Sequence, residues 1–161
     1  MTGSKSLLRD GQIQKAAGVW AEYVKAKRAL LEAGLVRSFK AAEADFAEWL
    51  IAVVFDGELP PSKSHAGYDV IAGDRRIQVK SIAKMPDNPN GYIIGKKDRS
   101  NDRETGATHY AFVFFDELIP DTIFLVEEVF VRQFPKKQIK RPHLENANSK
   151  VEVDLNVFRC W

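Results

Sequence analysis

The sequence predicts an α+β fold, a mixed central sheet flanked by helices. Three observations carry that expectation. Up to Phe55 the apolar residues repeat with the period of a helix, while from Gly67 onward they alternate or run together as strands do. Gly73-Asp74 separates two β-rich runs by the two residues of a tight hairpin. The unbroken apolar run YAFVFF (110–115) reads as a strand covered on both faces.

Taken in order, residues 11–33 are rich in Ala, Lys, Glu and Leu. Ala16, Val19 or Trp20, Tyr23, Lys27 and Leu30 fall at helical spacing, and Gly34 stands where a C-terminal cap belongs. A second helix is expected over 39–55, stopped by Asp56-Gly57 and then Pro60-Pro61. GYDVIA (67–72) and RRIQVKSIA (75–83) are the hairpin strands. Residues 84–108, rich in Pro, Asn, Gly and charge, read as a long loop with little regular structure. After YAFVFF, a turn around Pro120-Asp121 leads into the strand TIFLV (122–126). A short helix is expected over 127–134, and 150–158 alternates like a strand with one covered face. Phe39, Trp49, Phe55, Phe112, Phe114, Phe115 and Phe124 are core by residue type.

A chain of 161 residues suits one domain with a real core. The expectation is a single domain over 1–161, with the N-terminal helix (about 11–33) packed on or extending its core. The composition, 45% hydrophobic and 29% charged, reads as that of an ordinary soluble globular protein. Cys160 is the lone cysteine, too few for an internal disulfide or a zinc site, which fits a reducing cytoplasm. No apolar run approaches the roughly 18 residues of a membrane span, and MTGSKSLLRDGQ lacks the apolar core of a signal peptide. A cytoplasmic location without membrane contact is therefore expected. The net charge of +2 selects no partner, but its distribution does. Arg75, Arg76, Lys80, Lys84, Lys96, Lys97, Arg99 and Arg103 form one basic stretch, and Lys136, Lys137, Lys140 and Arg141 a second. Together they can make a positive face for a phosphate backbone.

The chemistry concentrates in Gly67-Tyr68-Asp69-Val70 and Gln78-Val79-Lys80-Ser81. Side chains alternate along a strand, so Gln78 and Lys80 share one side, while Ile77, Val79 and Ile82 are expected in apolar packing. A two-residue turn at 73–74 sets Asp69 about opposite Gln78, so a carboxylate, an amide oxygen and an ammonium converge. A hard cation such as Mg²⁺ prefers oxygen ligands and keeps several waters. Asp69 would be its main ligand, with the Gln78 side-chain oxygen and the Val79 carbonyl completing the protein's share. Such a metal polarises a phosphate and acidifies a bound water, and Lys80 would orient that water and offset charge on the phosphate. The plain alternative is a hairpin with a polar solvent face.

ADFAEWL (44–50), HAGYDV (65–70) and RRIQVKS (75–81) resemble the PD-(D/E)xK nuclease superfamily, in which a helix Glu precedes a hairpin carrying D…(D/E/Q)xK. The similarity covers roughly residues 28–130. Two positions depart from the pattern: Tyr68 stands where the family has Pro, and Gln78 replaces the second acid, removing one negative ligand. The resemblance implies a restriction-endonuclease-like core, with Glu48, Asp69, Gln78 and Lys80 as catalytic residues. It also implies Mg²⁺, or Mn²⁺, held by Asp69, Gln78, Val79 and Glu48, and double-stranded DNA cut in the manner of restriction or homing enzymes. The motif selects Glu48 as the helix acid, with Glu43 and Asp45 as substitutes. A helical wheel with Phe46, Trp49, Leu50 and Val53 as the apolar face argues otherwise, placing Glu43 at its edge and Glu48 nearly opposite, but Ile51, Ala52 and Phe55 around Glu48 suggest that both faces are covered, which keeps Glu48 first.

Lys96, Lys97, Arg99 and Arg103 are the expected backbone contacts, with Lys63, Ser64, His65 and Lys84 beside them and Ser62 as a further contact. A homodimer or higher homo-oligomer is expected, because two-fold duplex sites are matched by two-fold proteins. The other readings are a DNA-binding module of the same fold that has lost cleavage, and a structure-specific nuclease for branched DNA.

Overall fold

The structure, a computed structural model, describes residues 3–38, 42–62, 67–84, 106–134 and 139–159. The chain divides into two compact units, Met1–Asp45 and Phe46–Trp161. The first holds helix α1 (Gly3–Glu32) and the start of α2 (Ala42–Val54). α1 begins earlier than the pattern predicted because Gly11 does not interrupt it. A helix-interior glycine costs only about 1 kcal/mol relative to alanine, which neighbouring turns absorb. At its end Gly34 adopts φ +71°, and the Leu35 N–H donates to Leu30 O at 3.0 Å, closing the helix as expected.

The second unit is a five-stranded mixed sheet with helices: β1 (Val70–Ala72), β2 (Arg75–Lys84), β3 (His109–Asp116), β4 (Ile119–Glu127) and β5 (Val151–Asp154), in that spatial order. Only β2 and β3 run parallel; the other neighbours are antiparallel. Short helices α3 (Glu128–Arg132) and α4 (Arg141–Glu145) follow β4, and a 3₁₀ turn (Asn156–Arg159) follows β5. The expected α+β class is what is found. The predicted loop at 84–108 lies mostly outside the described residues, as do Phe39 and Cys160, although Lys84 ends β2.

Alternation along the strands splits the core in two. One face carries Ile77 and Val79 of β2, Ala111, Val113 and Phe115 of β3, and Ile123 and Leu125 of β4, packed with Ala47, Leu50 and Ile51 of α2. The other carries Ile82, Tyr110, Phe112, Phe114, Phe124 and Val126, packed with Val131 of α3 and Leu144 of α4. Ile82 thus belongs with the face of Gln78 and Lys80, not with Ile77 and Val79, because β2 alternates without a bulge. Trp49 and Phe55 are half-buried rather than core, whereas Phe112, Phe114, Phe115 and Phe124 are buried.

Three boundaries differ from expectation. The β3–β4 turn is Glu117-Leu118, not Pro120-Asp121. Glu117 takes φ +56°, and Pro120 lies within β4 opposite Phe115, beside a register shift that accommodates its missing N–H. The predicted strand 150–158 stops at Asp154, whose carboxylate accepts the Asn156 N–H at 2.9 Å and turns the chain into the 3₁₀ segment. β5 is an edge strand whose expected covered face is only partly realised: Val153 packs against the core while Val151 is 44% exposed. The strand predicted from 67 begins only at Val70, which leaves Asp69 just ahead of β1.

α2 ends through Asp56 at φ +50°, with the Gly57 N–H donating to Ala52 O at 2.7 Å. Glycine at 57 answers a close approach. Glu58 exchanges both main-chain hydrogen bonds with Ile71, and a Cβ on Gly57 would lie 2.7 Å from the Ile71 carbonyl oxygen. This strap ties the end of α2 to β1 and leads toward Asp69.

Candidate active site

Gly73, at φ +61°, makes the two-residue turn that pairs Ala72 with Arg75 and Val70 with Ile77. β1 stops there, so of β2's ten residues only the first three have a partner in it. Beyond Ile77, the Asp69 side chain takes over the edge. Its main-chain N–H donates to Ile77 O at 2.8 Å. Its Oδ2 accepts the Val79 N–H at 2.8 Å and a hydrogen bond from Gln78 Nε2. A strand residue's N–H and C=O point to the same side, so the Val79 carbonyl also faces this edge. Asp69 carboxylate, Gln78 amide and Val79 main chain are thereby gathered at one spot.

Lys80 lies two residues along, on the Gln78 side of β2, and is exposed, while Gln78 is half-buried. In register, Gln78 neighbours Tyr110 and Lys80 neighbours Phe112, two buried rings stacked with centroids 6.4 Å apart. Those rings form an apolar floor beside the polar pair.

The three acids of α2 fall in different surroundings. Ala47, Leu50, Ile51 and Ala52 are buried, whereas Val53 is 58% exposed and Phe46 and Trp49 are half-buried. The buried arc is therefore not the one the wheel assumed, and half-buried Glu48 sits on it, between Ile51 and Ala52 in projection. The wheel erred because Phe46 and Trp49 pair with each other at the flank, centroids 5.5 Å apart, and Phe158 meets Phe46. Asp45 is buried and accepts the Arg37 N–H at 2.8 Å and the Ser38 hydroxyl at 3.2 Å, a structural use of its carboxylate. Glu43 is exposed. α2 packs on the Ile77/Val79 face of the sheet.

No protein-family model matches the chain, and no curated protein matches it.

Among the described residues, no group of three or more His, Cys, Asp or Glu is placed to hold a metal ion. The donors gathered at this edge are of another composition: one carboxylate, one amide and one main-chain carbonyl. That is oxygen-rich and suits a hard cation that keeps most of its waters.

Of the expected phosphate contacts, Lys63, Ser64, His65, Lys96, Lys97, Arg99 and Arg103 lie outside the described residues, as does the side chain of Lys84; Ser62 is exposed. Arg76 is exposed and its Nε donates to Gly106 O. Of the second basic run, Lys136 and Lys137 lie outside the described residues, Lys140 is exposed and Arg141 is engaged in ion pairs. Arg141 pairs with Asp121 at 2.8 Å and Glu145 at 3.0 Å, and its guanidinium lies 5.2 Å from the Phe114 ring centroid. Burial alone would push the Asp121 carboxyl up, but hydrogen bonds from Arg141 and Thr122 and the charges of Arg141 and Arg159 hold it below its ordinary value. This network pins α4 and the 3₁₀ turn to the start of β4. Sequence reasoning missed it, although Arg141 and Glu145, four apart, were a legible signal.

Two histidines stand apart from the site. Burial, with the nearby Arg75 charge, pushes His109 below its ordinary value, and its Nδ1 lies 2.9 Å from the Thr108 hydroxyl. His143 accepts the Lys140 N–H at 3.1 Å and stacks on Phe134.

Proposed function

We propose that this chain is a metal-dependent endonuclease with a restriction-endonuclease-like core, cutting double-stranded DNA at an Asp69–Gln78–Lys80 site. The supporting observation is the edge of β2 beyond its pairing with β1, where Asp69 meets the Gln78 amide and Val79 main chain, with Lys80 next on the Gln78 side. Asp69, Gln78 through its acceptor oxygen, the Val79 carbonyl and Glu48 are the residues that would hold Mg²⁺ or Mn²⁺. When bound, such an ion polarises the scissile phosphate and acidifies a coordinated water. Asp69 contributes the fixed negative charge, anchored by the Val79 N–H. Lys80, exposed beside the Phe112 position, donates to phosphate oxygens and offsets the charge that grows on them in the transition state. A homo-oligomer would present one such site to each strand of a duplex.

Gln78 favours a second reading, a DNA-binding module that has lost cleavage, because its amide donates to Asp69 where an acid would add a negative ligand. Incubation with plasmid, linear duplex and branched DNA, with Mg²⁺ or Mn²⁺, separates the two. Cleavage by the wild type, lost in Lys80→Ala, supports the nuclease. DNA binding with no cleavage of any substrate under either metal supports the binding module.

A further inference from the structure

α1 spans 30 residues, about 45 Å at 1.5 Å per residue. Helices in water owe most of their stability to packing of an apolar face. Every side chain described from Gln14 to Tyr23 is exposed, with Val19 67%, Trp20 65% and Tyr23 48% accessible. Trp20 and Tyr23 lie together, centroids 5.1 Å apart, and the Lys27 ammonium sits 5.2 Å from the Tyr23 ring. Ala16, Trp20, Tyr23, Lys27 and Leu30 are spaced by four, three, four and three, the repeat of a coiled-coil seam. Glu22, Lys25 and Glu32 lie off it.

We infer that this seam pairs α1 with α1 of a second copy of the chain, antiparallel about a two-fold axis between Trp20 and Tyr23. Trp20 then packs against Tyr23 of the second copy and Tyr23 against its Trp20. Ala16 leaves room for the stem of Lys27. A parallel, in-register pair would set Lys27 against Lys27 in the seam, two like charges at one layer, which selects against it. The self-match is the reason for choosing a second copy over an unrelated partner: large residues meet large, and the long cationic one meets the small one. The area is of the right order. At roughly 150–250 Å² per aromatic, the exposed fractions of the four rings supply roughly 450 Å², and the aliphatic positions beside them carry the total toward the ~1,000 Å² of a specific interface.

The pairing gives the homo-oligomer of the proposed function its interface, but it rests on α1 alone. The test is therefore the mass of the full chain without nucleic acid, by light scattering and sedimentation velocity at micromolar concentrations. The wild type is expected as a dimer. Trp20→Glu, at an exposed position, is expected to keep its helical circular dichroism while association weakens roughly tenfold or more, and Lys25→Glu, off the seam, to leave it unchanged. A wild-type monomer, or a Trp20→Glu chain that associates as tightly as wild type, overturns the proposal. A dimer that cuts no DNA leaves this inference standing and counts against the nuclease alone, whereas a monomer that cuts does the reverse.

Discussion

Replacing Asp69 by alanine tests the site as a piece of structure, separately from its chemistry. The carboxylate accepts the N–H of Val79, a residue only 8% exposed, at 2.8 Å, and holds the Gln78 amide as well. Where β1 has ended, no strand among the described residues replaces it at this N–H. Removing the acceptor from a buried N–H costs about 1–3 kcal/mol; because Asp69 is only half-buried, water can reach part of the gap, and the lower half of that range is expected. Asp69→Asn retains an acceptor oxygen for Val79 and should lose less. Lys80→Ala removes an exposed side chain and should lie within about 0.5 kcal/mol of wild type. Urea unfolding of the three variants, followed by circular dichroism, measures this. On the proposed function, Asp69→Ala and Lys80→Ala both lose cleavage by about 10²-fold or more, so only one of the two inactive variants is destabilised. Equal stability of Asp69→Ala and Lys80→Ala would refute the claim that the Asp69 carboxylate replaces a strand partner at the edge of β2.

Gly57→Ala would press a methyl against the Ile71 carbonyl at 2.7 Å and Val70 Cγ1 at 2.9 Å, and should cost about 1–3 kcal/mol in urea unfolding, as overpacking does. Arg141→Ala breaks the pairs to Asp121 and Glu145 and the stacking on Phe114; with that side chain 40% exposed, about 1–2 kcal/mol of lost stability is expected from the same measurement. His109 has its folded pKa lowered from 6.5, so the unfolded chain binds more protons: stability is complete above that pH, falls below it, and His109→Gln should flatten that slope. Asp121, lowered from 3.8, acts in the same direction at more acid pH, its contribution being present above 3.8 and lost as pH falls through the folded value, a loss that Asp121→Asn removes.

Much of this fold was legible because the signals were local. Gly34 and the Gly73-Asp74 pair mark a helix end and a hairpin through positive φ at single residues, and both stand where they were read. YAFVFF is buried on both faces because helices cover each side of β3, which an unbroken apolar run implies. What failed depended on distant partners. Pro120 looked like a turn residue, yet the turn formed at Glu117-Leu118 and the proline was accommodated at a register shift visible only against β3. Val151 and Val153 alternate like a half-buried strand, yet only Val153 packs against the core, because the neighbours that would cover Val151 are not set by four residues of sequence.

The helix acid shows the same limit with a larger consequence. On a wheel, Phe46, Trp49 and Val53 outweigh Ala47 and Ala52, because hydrophobicity scales weight side-chain size. In a helix lying against a sheet the small residues go innermost, since they let the backbone approach, and the large rings spread to the flank, as Phe46 and Trp49 do with Phe158. Glu48 consequently lies on the covered arc, whereas Asp45 already answers to Arg37 and Ser38, and Glu43 is exposed. On the proposed function, a half-buried carboxylate on the arc that packs on Ile77 and Val79 is the one placed to serve a cation at the Asp69 edge. Of the three acids, Glu48 alone combines partial burial with a place on the arc facing β2. Glu48→Gln should therefore weaken metal-induced stabilisation, read as the shift in unfolding temperature on adding Mn²⁺, while Glu43→Gln leaves it unchanged. The opposite ranking would move the second carboxylate away from position 48.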